Sequence, residues 1–172
     1  MSNTASPVDA AFSGPAHDHD ACRADALARA EALCDERGVK LTALRRQVLE
    51  IIWSGHRPLG AYDLLSRLAE QRGGKAQPPT VYRALEFLCA QGLVHRVESL
   101  NAYIGCSHPG AAHRRQLLIC RACGAAAELA DPPGLSLLAK DAARHGFQVE
   151  AAMVELSGLC ALCAARQEAG TA

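Results

Sequence analysis

The sequence predicts an α+β fold, in which an N-terminal winged helix-turn-helix domain is followed by a C-terminal α/β domain. The first observation is a series of short amphipathic helical segments that ends in two short apolar runs. The second is a change of pattern after residue 106, and the third is a pair of Cys-x-x-Cys motifs in the second half. With 172 residues, 49% of them hydrophobic, the chain is long enough to bury two small cores.

The first helices follow an N-terminal segment that lacks periodicity. Residues 1–20 are rich in Ser, Pro, Ala and Asp, so we expect a disordered tail there. A helical pattern begins at residue 21 and ends near Gly38, a typical helix C-terminal residue. Thr42 is placed to cap a second helix, which ends by Gly55.

The third and fourth helices form the second half of this series. The third is predicted over residues 61–72, ahead of a Gly-Gly pair. The fourth begins at Pro78, because proline suits a first helical turn, where its missing N–H would be unpaired anyway. The apolar residues of this fourth helix share one face: Val81, Leu85 and Leu88.

A β-hairpin is predicted next, because the apolar runs 93–97 and 102–104 are separated by a turn that contains Asn101. Helices followed by a hairpin make a winged helix-turn-helix, whose last helix enters the major groove of DNA. Residues 37–96 also carry ten Lys/Arg against four Asp/Glu in a chain of zero net charge. Such a basic block is typical of a phosphate-contacting surface, although a solvated charged face is the alternative.

The second domain is predicted as a small α/β unit. Residues 116–120 and 147–156 have strand patterns, and a helix is expected between them over 135–145.

The two Cys-x-x-Cys pairs predict a structural zinc site. Two residues between paired thiols let both sulfurs face one ion, and Gly124 relieves the tight turn after the first pair. Four thiolates complete a tetrahedral zinc site without an open position. Two redox motifs or buried core thiols are the alternatives, but a redox pair normally begins a helix in a βαβ setting. The predicted ligands are Cys120, Cys123, Cys160 and Cys163.

Several function classes are disfavoured by what the sequence lacks. It shows no signal-peptide pattern and no apolar run of ~18 residues, so we expect a cytoplasmic protein without a membrane partner. A zinc deaminase would need a His-x-Glu motif upstream of Pro-Cys-x-x-Cys, and neither is present. We therefore expect no enzyme; a metal-buffering or interaction module remains a further class.

A second set of zinc-competent side chains lies between the two domains. Imidazole, thiolate and carboxylate groups from several segments could make a tunable site, although spacing alone also allows ordinary core or surface roles. These residues are His95, Cys106, His113 and Glu128, with His108 nearby.

Three motifs resemble the ferric uptake regulator superfamily, and the match runs from about residue 22 to 166. Residues 78–85 (PPTVYRAL) resemble its recognition helix, residues 92–98 its wing, and Cys120-x-x-Cys123-Gly124 its zinc knuckle. The zinc uptake regulator branch is the most similar, on the Pro-Pro pair before Thr80, the helix start AYDLL and the motif GLCAxC.

This resemblance implies a homodimer that binds double-stranded DNA. It implies a winged-helix DNA-binding domain over 21–98, a hinge over 99–106, a dimerisation domain over 107–166 and a tail over 167–172. The paired cysteines are assigned to the structural zinc. A sensory zinc is assigned to His95, Cys106, His113 and Glu128, which makes two Zn²⁺ per protomer.

The implied function is zinc-responsive repression of zinc-uptake genes through palindromic operators. The alternative is the same fold sensing iron, manganese or peroxide. The iron and peroxide sensors usually carry a His-His-x-His cluster before the first knuckle, where this chain has only His113. The segment from Cys106 to His113 is about one residue short, which makes His108 an alternative ligand.

Base and phosphate contacts are expected from different residues. A helix-borne Arg can read guanine with two hydrogen bonds, and we expect the DNA contacts to come from Tyr62, Thr80, Tyr82 and Arg83. Phosphate contacts are expected from Arg45, Arg46, Lys75 and Arg96.

Overall fold

The computed structural model describes residues 12, 19–74, 77–110, 115–129, 134–150 and 152–169. The first half of the chain contains helices α1 (His19–Glu36), α2 (Ala43–Ile52), α3 (Ala61–Arg72) and α4 (Pro78–Ala90), with strands β1 (Leu59–Gly60), β2 (Val94–Val97) and β3 (Ala102–Gly105). The second half contains strands β4 (Arg115–Cys120), β5 (Ala126–Glu128) and β6 (Met153–Gly158), with helices α5 (Gly134–Arg144) and α6 (Ala161–Ala169). The predicted α+β class is confirmed.

The helix boundaries follow the predicted signals closely. Thr42 caps α2, because its side chain accepts a hydrogen bond from the Arg45 N–H at 3.4 Å. Helix α4 begins at Pro78, as predicted. Helix α1 begins at His19, so the last two residues of the predicted tail are helical, while residues 1–11 and 13–18 lie outside the described part.

The core of the first domain is formed by the apolar faces of these helices. Helix α4 buries the predicted face and exposes Tyr82, Arg83 and Glu86. Each fully buried Leu or Val stabilises the fold by roughly 1.5–3 kcal/mol relative to exposure. The most completely buried side chains here include Val48, Leu49, Leu64, Val81 and Leu88.

A small sheet with the order β1-β3-β2 completes this domain, and all of its strand pairs are antiparallel. The predicted turn is present at Asn101, which has a φ of 46°. Strand β1 was not predicted, because two residues carry no periodicity. The hinge predicted over 99–106 contains β3, which pairs with both other strands, so the connection to the second sheet begins only after Gly105.

The second sheet has the order β5-β4-β6, with β4 antiparallel to β5 and parallel to β6. Helix α5 lies in the crossover between β5 and β6, as parallel pairing requires. The strand at 116–120 is confirmed, whereas the second predicted strand begins at Met153 rather than at residue 147. Strand β5 was not predicted, and α6 includes the first residues of the tail predicted over 167–172.

The two sheets pack against each other through a small apolar cluster. Val97 and Ile104 of the first sheet meet Leu117, Ile119 and Ala126 of the second. A backbone bond adds to this contact, since the Ala126 N–H donates to the His56 carbonyl at 2.9 Å. The division into a DNA-binding and a dimerisation domain remains a prediction.

Gly105, at the end of β3, lies directly against an aromatic ring. A Cβ at this position would lie 2.3 Å from the indole Nε1 of Trp53, so only glycine fits.

In the described part of the chain no helix is long and apolar enough to span a membrane.

Candidate metal centres

The paired cysteines converge on one point. Their four Sγ atoms all lie within 4.8 Å of one another, and Cys123 Sγ is 4.0 Å from Cys160 Sγ. A zinc tetrahedron with Zn–S bonds of about 2.3 Å places its sulfurs roughly 3.8 Å apart. The four thiols therefore fit a zinc ion, in agreement with the predicted set.

The parallel pairing of β4 and β6 brings the two knuckles together. Cys120 ends β4 opposite Gly158, two residues before Cys160, and Cys163 lies in the first turn of α6. The knuckle after β4 is tight, because the Gly124 N–H donates to the Cys120 carbonyl at 2.8 Å. Gly124 has a φ of 73°, which glycine adopts without strain, so its predicted role in the turn is confirmed.

The protein environment prepares this centre for a cation. Backbone N–H groups of Cys123 and Cys160 donate to the Cys120 sulfur, the latter at 3.3 Å, and lower the pKa of Cys120 to about 6. The hydrogen bond with the Cys160 thiol raises the pKa of Cys163 to about 12. These hydrogen bonds favour the thiolate form of Cys120 and the thiol form of Cys163, and a cation that binds all four sulfurs must displace the remaining thiol protons.

A second centre lies between the two sheets. One ligand atom each from His95, Cys106 and Glu128 lies within 4.8 Å of the others, and all three residues are buried, with exposures of 2%, 2% and 5%. His95 Nε2 is 3.0 Å from Glu128 Oε1. Ligand atoms around a tetrahedral zinc with bonds of about 2.0 Å are roughly 3.3 Å apart, so this set also fits zinc.

These three ligands come from different strands. His95 lies on β2, Cys106 directly follows β3, and Glu128 ends β5 in the other sheet. The Glu128 carboxylate is oriented by its neighbour: Oε2 accepts hydrogen bonds from the Ser107 N–H at 3.1 Å and from the Ser107 hydroxyl at 3.0 Å. An ion held here would join the two sheets.

Two further candidates for this centre differ in position. His113 lies outside the described residues, so its role as a ligand remains a prediction. His108 is described but is not part of the cluster; it lines a cavity that also reaches Glu128.

The predicted DNA-reading residues lie on exposed surface near the start of two helices. Tyr62 is 79% exposed in the first turn of α3, and Tyr82 is 42% exposed in α4. Thr80 and Arg83 are exposed in the first half of α4, and no described residue forms an ion pair with Arg83. Their contact with DNA remains a prediction.

The arginines expected at phosphates contact protein groups in this structure, and their contact with DNA remains a prediction. The Arg45 guanidinium lies 3.5 Å from the centre of the Phe87 ring. Arg46 pairs with both Glu31 and Glu50, and hydrogen bonding to Glu31 raises its pKa.

Arg96 is engaged in the same way, since it pairs with Glu98 at 3.3 Å. Lys75, the remaining residue expected at phosphates, lies outside the described part.

Sequence reasoning missed two polar side-chain contacts that join the two halves of the structure. Ser107 orients Glu128, and Glu155 of β6 accepts hydrogen bonds from the turn that follows β2. No local pattern marks either residue, since both contacts join segments that are 21 or 57 positions apart.

Comparison with known protein families and sequences supports a regulatory role. The Ferric uptake regulator family matches residues 36–157. The zinc uptake regulation protein of Escherichia coli (strain K12) is 41% identical over 138 residues, which covers 80% of this chain and 80% of that protein.

Solved structures agree with this. A zinc uptake regulator complexed with zinc and DNA superposes with a TM-score of 0.79 at 39% identity, covering 85% of this chain and 97% of that one. Holo XcZur gives 0.74 at 44% identity, covering 86% and 99%. Apo XcZur, at the same identity, gives 0.51, so this chain superposes better on the holo form.

Proposed function

This chain belongs to the ferric uptake regulator family, and we propose that it is a zinc-responsive transcriptional repressor that binds palindromic operators of zinc-uptake genes. The observation that carries the proposal is the buried cluster of His95, Cys106 and Glu128, whose members come from two different sheets. The family consists of transcription regulators, and we propose that this chain is not an enzyme.

The mechanism follows from where these ligands lie. His95 and Cys106 lie on or directly after strands of the first sheet, and Glu128 lies on the second sheet. All three therefore meet only when the two sheets are packed together. A bound zinc ion would supply a bridge between them, with His113 as the proposed fourth ligand. A ligand that binds only the closed arrangement shifts the population toward it, and this would set the DNA-binding domains in their operator-binding geometry.

The ligand chemistry favours zinc over the alternative metals. Cys106 contributes a soft thiolate, and with one imidazole and one carboxylate this makes a set that zinc accepts readily. Such sites bind manganese and ferrous iron more weakly than zinc, and manganese prefers oxygen ligands. With the four-cysteine centre, the proposal gives two zinc ions per protomer.

Recognition of DNA is assigned to the exposed start of α4. Arg83 can donate two hydrogen bonds to a guanine edge, worth about 1–3 kcal/mol of discrimination. Thr80 and Tyr82 on the same helix and Tyr62 on α3 would complete the contact.

The homodimer is consistent with apolar surface in the second domain. Phe147, which follows α5, is 66% exposed, and Leu156 on β6 is 50% exposed. On α5, Leu137 and Leu138 are 65% and 61% exposed. We propose that a second copy covers these exposed apolar side chains in the homodimer. A repressor acts where its operator DNA lies, so the proposal places the protein in the cytoplasm.

Zinc titration of operator binding tests this function. Binding of the full chain to an operator fragment from a zinc-uptake gene is followed by fluorescence anisotropy at buffered free zinc, for the wild type and for Cys106→Ser. We expect the variant to keep one zinc per protomer and its fold but to lose zinc-triggered binding. Cys34→Ala, which changes a buried thiol outside both centres, is the control. Full zinc response of Cys106→Ser, or tight binding with ferrous iron and without zinc, would contradict the proposal.

A further inference from the structure

A cavity of about 240 Å³ is lined by Glu128, one of the three ligands of the second metal centre, and by partly exposed residues. Its buried lining residues include Ala126, Ala127 and the carboxylate-bearing Glu128. Its outer lining is partly exposed and comes from α1, from the segment after α2 and from the segment after β3. Three residues of that outer lining can bind zinc: Cys22, His56 and His108.

A buried centre needs a path by which the ion enters. Because its ligands are at most 5% exposed, a hydrated ion must lose its water molecules before it reaches them. Imidazole and thiol groups along the way would replace these waters stepwise. A further imidazole lies beside this cavity, since His19 stacks on His56 with ring centres 4.5 Å apart.

The charge at the cavity entrance permits a cation. Arg29 lies there, but it forms an ion pair with Asp25 at 3.0 Å, so its charge is balanced locally. The three zinc-competent residues do not form a cluster of ligand atoms within 4.8 Å, unlike the two centres among the described residues. This looser arrangement suits passing contact with an ion rather than permanent binding.

We propose that Cys22, His56 and His108 form a transfer site for zinc, through which the ion enters and leaves the centre at His95, Cys106 and Glu128. The proposal rests on the function proposed above and concerns the rate of zinc exchange. A transfer site changes the entry and release rates by the same factor and leaves the equilibrium affinity unaltered.

Cobalt loading measures this directly. The four-cysteine centre is first filled with zinc, and Co²⁺ is then mixed in while the thiolate-to-cobalt absorption band of Cys106 is followed by stopped flow. For His108→Ala and for Cys22→Ser we expect loading and chelator-driven release each to be slowed about tenfold, with unchanged final absorbance and Kd. His145→Ala changes an exposed histidine outside the cavity and should match the wild type.

The other outcomes separate the two proposals. Unchanged rates in both variants would overturn the transfer site while leaving the repressor function intact. A lower final absorbance or a weaker Kd would make these residues permanent ligands, which also overturns it. Absence of the cobalt band in the wild type would instead contradict the proposed sensory centre itself.

A separate contact joins the second sheet to the wing. Glu155 on β6 accepts hydrogen bonds from the Glu98 N–H at 2.6 Å and the Ser99 N–H at 3.1 Å, both in the turn that follows β2. The side chain of Glu98 is turned to Arg96 and does not compete for these donors. Burial acts to raise the pKa of Glu155, but the hydrogen bonds from Ser99 and Glu98 outweigh it and lower that pKa.

We infer that Glu155 is a positioning residue that holds the wing against the second sheet in the closed arrangement. Its partner on β4 is Leu117, a member of the apolar cluster between the sheets, so the bonds and the cluster form or separate together. A contact present only in the closed form contributes to the closed population with or without zinc.

Glu155→Gln tests this role, because an amide would direct its own N–H group at one of the backbone N–H donors. We expect zinc content and thermal stability to be retained, while the free zinc needed for half-maximal operator binding rises about tenfold. Maximal binding should return at high zinc. Glu150→Gln removes an exposed carboxylate shortly before β6 and serves as the control. An unaltered zinc requirement, or a lower maximum at every zinc level, would overturn the inference.

Discussion

The two candidate metal centres of this protein differ in which parts of the fold supply their ligands. The four-cysteine centre takes every ligand from β4, β6 and the segments that directly follow them, all within one sheet and its flanking helix. The centre at His95, Cys106 and Glu128 takes its ligands from both sheets. A cation at the first would hold parts of one sheet and its flanking helix, whereas a cation at the second would hold the two sheets together.

The two centres also differ in the total charge of their ligands. Four thiolates exceed the charge of a zinc ion and close its coordination sphere. The second centre supplies one thiolate and one carboxylate, which balance a divalent ion, together with a neutral imidazole. A tight, permanent ion suits the first set, and an exchangeable ion suits the second.

Removal of the permanent ion should have the largest effect. Cys160→Ser breaks the four-cysteine centre, and structural zinc contributes on the order of 10 kcal/mol of folding free energy in small zinc domains. We expect the second domain to unfold and the dimer to dissociate, as seen by near-ultraviolet circular dichroism and by size-exclusion chromatography with light scattering. A stable, folded dimer of Cys160→Ser without zinc at the four-cysteine centre would show that this centre does not have the structural role described.

A change in the second centre should spare the fold. Glu128→Gln keeps the size of the side chain but removes the anionic ligand, so we expect zinc affinity at this centre to fall by more than about 100-fold, beyond what changes to supporting residues produce. Competition with a zinc chelator measures this affinity. With the second centre empty of zinc, the thermal unfolding midpoint of the variant should match that of the wild-type protein. If the first zinc were lost as well, the two centres would not be independent.

A smaller effect is expected from the residue that orients this carboxylate. Ser107→Ala removes the hydroxyl bond to Glu128 and keeps the backbone one, so zinc affinity should fall about tenfold, at the lower end of effects of this kind. The zinc requirement for operator binding should shift by the same factor, because both report the same equilibrium. Ser157→Ala, an exposed serine on β6, is the control, and an equal effect of both would exclude the orienting role.

The sequence predicted well those features that depend on neighbouring residues. Helix α2 follows from Thr42 and the apolar spacing after it, and α3 and α4 from their glycine and proline signals. Strands β1 and β5 were missed because segments of two and three residues are too short to show a period. Strand β3 was predicted from the apolar run 102–104, whereas the hinge over 99–106 came from the family resemblance and overlaps that strand.

The two candidate centres also differ in how much of each could be predicted from the sequence and how much depends on the tertiary structure. The sequence alone predicted each Cys-x-x-Cys pair as a zinc knuckle, because two residues between thiols let both sulfurs face one ion. The parallel pairing of β4 and β6 is what brings the two pairs together. The sequence also named His95, Cys106 and Glu128, through a family resemblance. Only the tertiary structure brought these three within reach of one another, and it alone revealed Ser107 beside Glu128 and Glu155 beneath the wing. Contacts between strands far apart in the chain arise from the packing of two sheets, and no local pattern of residues encodes that distance.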